Sequence, residues 1–216
     1  MTPENASREL LEMARLAPVI PVIVVDELDH AVPLAEALVA GGLPVLEVTL
    51  RTPMALPAIR KMSHVPNAIV GAGTVLRAAQ VAEVQHAGGL FAVSPGSTEA
   101  LMTRCEEADM PLLPGAATAT EAMRLLERGY SMQKFFPAEA SGGAAALGSF
   151  ASPLPQVTFC PTGGVGLGNA PDYLRLKNVG CGGGSWVAPK KLVETGDWDG
   201  ISALAAEAVQ TLSAVT

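Results

Sequence analysis

Basic runs are missing from this 216-residue chain. Its 14 lysines and arginines are scattered among 21 aspartates and glutamates, for a formal charge of −7. With no positive stripe or patch, a nucleic-acid partner is excluded, and any anionic ligand must be held by local groups against the overall field. Cysteine is equally scarce. Cys105, Cys160 and Cys181 form an odd set without CxxC spacing, which excludes a disulfide framework and suits small buried thiols in a reducing compartment. His30, His64 and His86 lie far apart in helix-like or connecting segments, so no histidine metal site is expected. No apolar run reaches the roughly 18 residues that span a bilayer. The acidic N-terminus has no long apolar core, so no secretory signal is expected and the location read from the sequence is cytoplasmic. Aromatic residues are 4% of the chain and charged residues 16%, whereas 49% are hydrophobic. A globular chain with a large Ala/Val/Leu core follows, and its length suits one domain over residues 1–216.

What the chain does contain is a recurring alternation. After a helical N-terminal segment, about Pro3 to Leu16, short apolar runs appear at Val19–Val25, Val45–Leu50, Ala68–Val70, Leu90–Val93, Pro111–Leu113, Met132–Phe136, Val157–Cys160 and Val179–Cys181. Amphipathic stretches lie between them, at Ala31–Ala40, Ala79–Ala87, Glu99–Ala108, Ala119–Arg128 and Ala144–Phe150, and Gly or Pro marks most junctions. Strands separated by helices predict a parallel α/β fold. Eight such units in a chain this short fit a compact (β/α)8 TIM barrel with an extra N-terminal helix. A doubly wound open sheet is the alternative, weakened because no GxGxxG follows the first strand.

In a barrel the strand ends carry the chemistry and inward residues alternate with outward ones. Lys134 stands in Ser131-Met132-Gln133-Lys134-Phe135-Phe136-Pro137, a short apolar strand in which alternation places Met132, Lys134 and Phe136 on one face. A lysine turned inward either pairs with a buried carboxylate or serves as a desolvated amine able to attack a carbonyl. In Val45-Leu46-Glu47-Val48-Thr49-Leu50-Arg51, residues 47, 49 and 51 share a face and the opposite face is aliphatic. Helices cover a barrel's outside, so Glu47, Thr49 and Arg51 point into the barrel or its mouth. They form either a structural ion pair or a proton shuttle with a cation that grips a carboxylate. Two glycine-rich segments, Cys160-Pro161-Thr162-Gly163-Gly164 and Gly180-Cys181-Gly182-Gly183-Gly184-Ser185-Trp186, follow the seventh strand and span the eighth. Those positions are the recurrent phosphate site of such barrels. Thr74 in Gly71-Ala72-Gly73-Thr74 and Pro95 in Ser94-Pro95-Gly96 read as mouth-lining turns. A phosphosugar isomerase, epimerase or synthase, a metal-dependent pyruvate aldolase and a non-catalytic phosphometabolite-binding barrel stay open on these residues alone.

Together these strings resemble one family closely, the class I 2-keto-3-deoxy-6-phosphogluconate (KDPG) aldolases, which often accept 4-hydroxy-2-oxoglutarate (KHG). The strings are Pro21–Val25, Leu46–Thr52, Val70–Val75, Lys134–Glu139, Phe159–Gly164 and Gly183–Trp186, and the likeness runs from about residue 18 to the C-terminus. Thr158 and Gly182 stand where other residues are usual in that family. The resemblance implies that Lys134 is the imine-forming lysine and Glu47 the general acid/base. It implies that Arg51 and Thr74 contact the pyruvate portion, that Phe136 packs against the imine, and that Gly163, Gly164 and Ser185 hold the phosphate. Pro95 and Gly184 complete the substrate-binding set. No cofactor and no metal are implied, the partner is a phosphorylated 2-keto acid, and the assembly is a homotrimer.

Overall fold

The structure, a computed structural model, describes residues 1–215. Its strands are β1 (Val19–Ile23), β2 (Val45–Thr49), β3 (Ile69–Gly73), β4 (Ala92–Val93), β5 (Leu112–Leu113), β6 (Gly115–Ala116), β7 (Met132–Phe135), β8 (Thr158–Pro161) and β9 (Gly182–Gly184). Every strand pair is parallel. The ladders run β5-β4-β3-β2-β1-β9 and β6-β7-β8. Only Pro114, which has no N–H to give a ladder, separates β5 from β6, so these two form one interrupted strand. Bridges Phe159↔Val179 and Thr162↔Gly183 close β8 onto β9. Eight strand positions thus curl into the (β/α)8 barrel that the alternation predicted.

Helices Ala31–Ala40, Ala55–Met62, Ala78–His86, Glu99–Glu107, Ala119–Glu127, Gly143–Ser149, Ala170–Leu174, Lys190–Thr195 and Trp198–Leu212 surround the strands. Local chemistry sets several starts. Thr118 and Glu121 exchange side-chain and backbone hydrogen bonds in a capping box, and Asp197 accepts from Gly200 N at 2.9 Å.

Side-chain alternation divides the apolar residues into two clusters. Leu46, Val48, Val70, Ala72, Phe135 and Phe159 face the helices. Ile20, Val45, Phe91, Val93, Leu113, Met132, Cys160 and Cys181 fill the barrel interior. Leu10 and Ala14 of the N-terminal helix, Pro3–Ala14, join the interior cluster, so that helix closes the barrel floor and leaves the opposite end open. Ser7 anchors it by accepting from Ser131 N, the residue that leads into β7.

Several boundaries correct the sequence reading. The last strand is not Val179–Cys181 but β9, Gly182–Gly184, which pairs with β1 through Val19↔Gly182, Ile20↔Gly183 and Pro21↔Gly184. Strand propensity favours valine over glycine, yet a Cβ at Gly183 would overlap Thr162 Oγ1 and one at Gly184 would overlap the Trp186 ring. The third strand likewise runs past Val70 to Gly73. A Cβ at Gly71 would strike Phe91, and one at Gly73 would overlap Glu47 Oε1. Propensity is a weak prior where a neighbour already fills the space of the side chain. The N-terminal helix also stops at Ala14, ahead of Leu16.

Candidate active site

Strands β2 and β7 bring Glu47 and Lys134 face to face across the barrel. Lys134 Nζ donates to both carboxylate oxygens of Glu47, at 3.1 and 3.4 Å, and the two side chains are only 6% and 4% exposed. The neighbours explain the placement. Gly115 and Cys160 flank Lys134 in register, Gly71 flanks Glu47, and the bare Cα of Gly73 makes room for the carboxylate. Phe136, two residues on and on the same face, puts its ring centroid 5.5 Å from Nζ. Outward residues of β7 do the packing. Gln133 donates to Ala122 O at 3.0 Å and Tyr130 O at 2.8 Å, and Phe135 meets Phe150 and Phe159 edge-on.

Taking two charges out of water costs several kcal/mol per ion, and well-packed apolar residues of similar volume often serve stability equally well. The pair is therefore poorly explained by stability and well explained by chemistry. Below it, Cys181 keeps its proton, because its hydrogen bond to Cys160 and then burial push the thiol well up.

The remaining face of β2 divides. Thr49 is fully buried and donates to Ile23 O at 2.9 Å, so it ties β2 to β1 and does not reach the site. Arg51, past the end of β2, is at the mouth, where its Nε donates to Thr74 Oγ1 at 3.2 Å. Thr74 holds a left-handed φ of 57°, a rare conformation for a β-branched residue that sits beside a site residue. Pro95, two residues past β4, packs its carbonyl against Gly115, the register partner of Lys134.

A cavity of about 960 Å³ opens above, lined by Arg51 and Phe136 together with Gly163, Gly164, Gly184 and Ser185. Gly163 and Gly164 have φ of 99° and 80°, a conformation that admits glycine without strain. A strut holds this loop. Ala138 N donates to Thr162 O at 2.8 Å and Glu139 N to Gly163 O at 3.0 Å. The stem of Glu139 fills the space beside Gly164, and the Tyr173 hydroxyl donates to its carboxylate. Asn169 closes the far side, accepting from Gly166 N at 2.8 Å and donating to Gly164 O at 3.0 Å.

Sequence reasoning passed over several residues of this cavity. Val22 and Val24 line it from β1 and the residue after it, and the alternation that found Glu47 also turns these two inward. Trp186, at the end of the second glycine-rich segment, forms part of the wall. Glu139 and Lys190 carry no local signal, since their roles depend on contacts with distant segments. Among the described residues, no group of three or more His, Cys, Asp or Glu side chains is placed to hold a metal ion, and no helix is long and apolar enough to cross a membrane.

A parallel barrel that encloses a buried amine against a carboxylate, beneath a glycine-walled cavity, defines a class: the lyases that break carbon–carbon bonds through a lysine imine. Comparison with known proteins takes the assignment one step further. The family model described as "Aldolase: KDPG and KHG aldolase" matches residues 10–204, and the chain belongs to that family. The KHG/KDPG aldolase of Escherichia coli (strain K12) is 56% identical over 194 residues, 89% of this chain and 91% of that protein. The KDPG aldolase of Zymomonas mobilis ZM4, solved with 3-phosphoglycerate, is 51% identical with a TM-score of 0.89, covering 94% of this chain and 96% of that one. The Legionella pneumophila KDPG aldolase, solved with pyruvate captured as a covalent carbinolamine, is 45% identical with a TM-score of 0.89, covering 92% and 97%.

Proposed function

We propose that the chain cleaves KDPG to pyruvate and D-glyceraldehyde 3-phosphate, and KHG to pyruvate and glyoxylate, with Lys134 as nucleophile and Glu47 as general acid/base. The observation that carries this reading is the buried contact of Lys134 Nζ with both Glu47 oxygens. Proton transfer within that pair frees the amine to attack the C2 ketone. A carbinolamine forms, its hydroxyl leaves as water with the proton that Glu47 took up, and the resulting cationic imine draws electrons from the C3–C4 bond. Glu47, through a water, takes the proton of the C4 hydroxyl as that bond breaks. The aldehyde leaves, and an enamine of pyruvate stays on Lys134. Glu47 returns a proton to C3, and hydrolysis of the imine releases pyruvate and restores the lysine.

Arg51, steadied by Thr74, orients the substrate carboxylate. Phe136 shields the imine from one side, and its ring face favours the developing cation. Gly163, Gly164, Gly184 and Ser185 receive the phosphate, where backbone without side chains lets an anion approach closely. Pro95 borders the mouth from the fourth strand. Binding the remote phosphate then serves positioning at the reacting bond.

The test is chemical capture. Borohydride added with pyruvate is expected to leave a stable adduct that peptide mass mapping places on Lys134. A folded protein that gives no adduct, or an adduct elsewhere, refutes the assignment. The same reading has the chain assemble as a homotrimer. Light scattering is expected to return three times the mass of one chain, and a monomer mass across the micromolar range would refute it.

A further inference from the structure

The charged residues that line the cavity are Arg51 and Lys190 against Asp26, Glu27 and Glu194, in a chain whose net charge is −7. A substrate with a carboxylate at one end and a phosphate at the other needs positive charge at both. Arg51 is committed to the Lys134 side by its bond to Thr74. Lys190 is the other cation, and it lies just beyond the loop that carries Gly184 and Ser185, on the first turn of helix Lys190–Thr195. Its ammonium is 3.6 Å from Asp26, in the loop after β1, and 3.6 Å from Glu194 one turn along its own helix. All three side chains are more than half exposed, at 74%, 52% and 59%. Ion pairs this long and this wet are weak, and a four-carbon stem lets the ammonium change partners readily.

We propose that Lys190 determines specificity for phosphorylated substrates. It rests on Asp26 and Glu194, and pairs with the phosphate when one occupies the glycine loops. The inference rests on the phosphate reading of those loops given above. The far carboxylate of KHG ends one carbon beyond the cleaved bond and does not extend to that end of the cavity, so Lys190 keeps its resting partners with that substrate. Asp26 then acts against phosphate binding, because it holds the ammonium back.

The experiment compares kcat/KM for KDPG and KHG in the wild type, Lys190→Gln and Asp26→Asn. For Lys190→Gln the KDPG/KHG ratio is expected to fall roughly tenfold, the size of one charge-assisted hydrogen bond discounted for exposure. The loss should lie in KM and not in kcat, and added salt should narrow the gap between variant and wild type. Asp26→Asn is expected to shift the ratio the other way. An unchanged ratio in Lys190→Gln, or an equal loss on both substrates, overturns the proposal. Pyruvate carries no phosphate, so borohydride capture on Lys134 separates the two levels. Full capture with an unmoved ratio removes only the role of Lys190, whereas no capture in the wild type removes the reading beneath it.

Discussion

Lys134→Ala is expected to lower kcat/KM for KDPG cleavage by roughly 10⁴–10⁶, the range seen when a covalent nucleophile is removed. Among the described residues, Lys61, Lys177, Lys190 and Lys191 are the remaining lysines, and none is buried. Only Lys134 meets a carboxylate inside the barrel. Nothing else in the interior is an amine, so no neighbour can supply the imine. Truncation also leaves Glu47 without its buried partner, which costs up to about 3–5 kcal/mol. Lys134→Met, which keeps most of the volume, is the companion variant, and circular dichroism with a thermal melt checks that both fold. A folded variant that turns over near the wild-type rate would contradict the assignment, whatever its stability.

Glu47→Gln should produce a different signature. The amide keeps the shape of the carboxylate, so the gap left by Gly73 stays filled. It keeps an acceptor for Lys134 Nζ but cannot take a proton. Cleavage is expected to slow by roughly 10²–10⁴, the usual contribution of a placed acid/base group. Capture of pyruvate on Lys134 should survive, more slowly, because attack on the ketone needs only a fraction of the lysine as free amine. If capture disappears together with turnover in a folded variant, Glu47 is required already for forming the imine. If neither changes, Glu47 is only the counter-charge of a structural pair.

These two outcomes bear on what a buried ion pair is for. In a protein interior such a pair is weak evidence for stability. Here it lies on the face of β7 that Phe136 carries up to the open cavity, while the closed end is sealed by Leu10, Ala14 and other apolar side chains. The other buried polar side chains of β2 and β7, Thr49 and Gln133, are satisfied by backbone carbonyls.

Much of this was readable before any coordinates. Alternation along β2 and β7 placed Glu47 and Lys134 inward, because in a parallel barrel period-two patterning has only one polar destination. The glycine clusters after the seventh strand and around the eighth gave the other wall of the cavity. The same reading failed at β9 and at the end of β3, where propensity preferred valine to glycine. There the glycines are strand residues, because Thr162, Trp186, Phe91 and Glu47 already occupy the space their side chains would need. A local pattern carries no record of a neighbour that is distant in the chain.

The sequence by itself determined the parallel barrel, the inward faces and the residue types available for chemistry, since these follow from periodicities of a few residues. Tertiary structure alone decided which groups touch: Lys134 with Glu47 across 87 positions, Arg51 with Thr74, Tyr173 with Glu139 and Lys190 with Asp26. The physical reason is that ring closure fixes strand register, and register is set by packing summed over the whole barrel and not by any one segment.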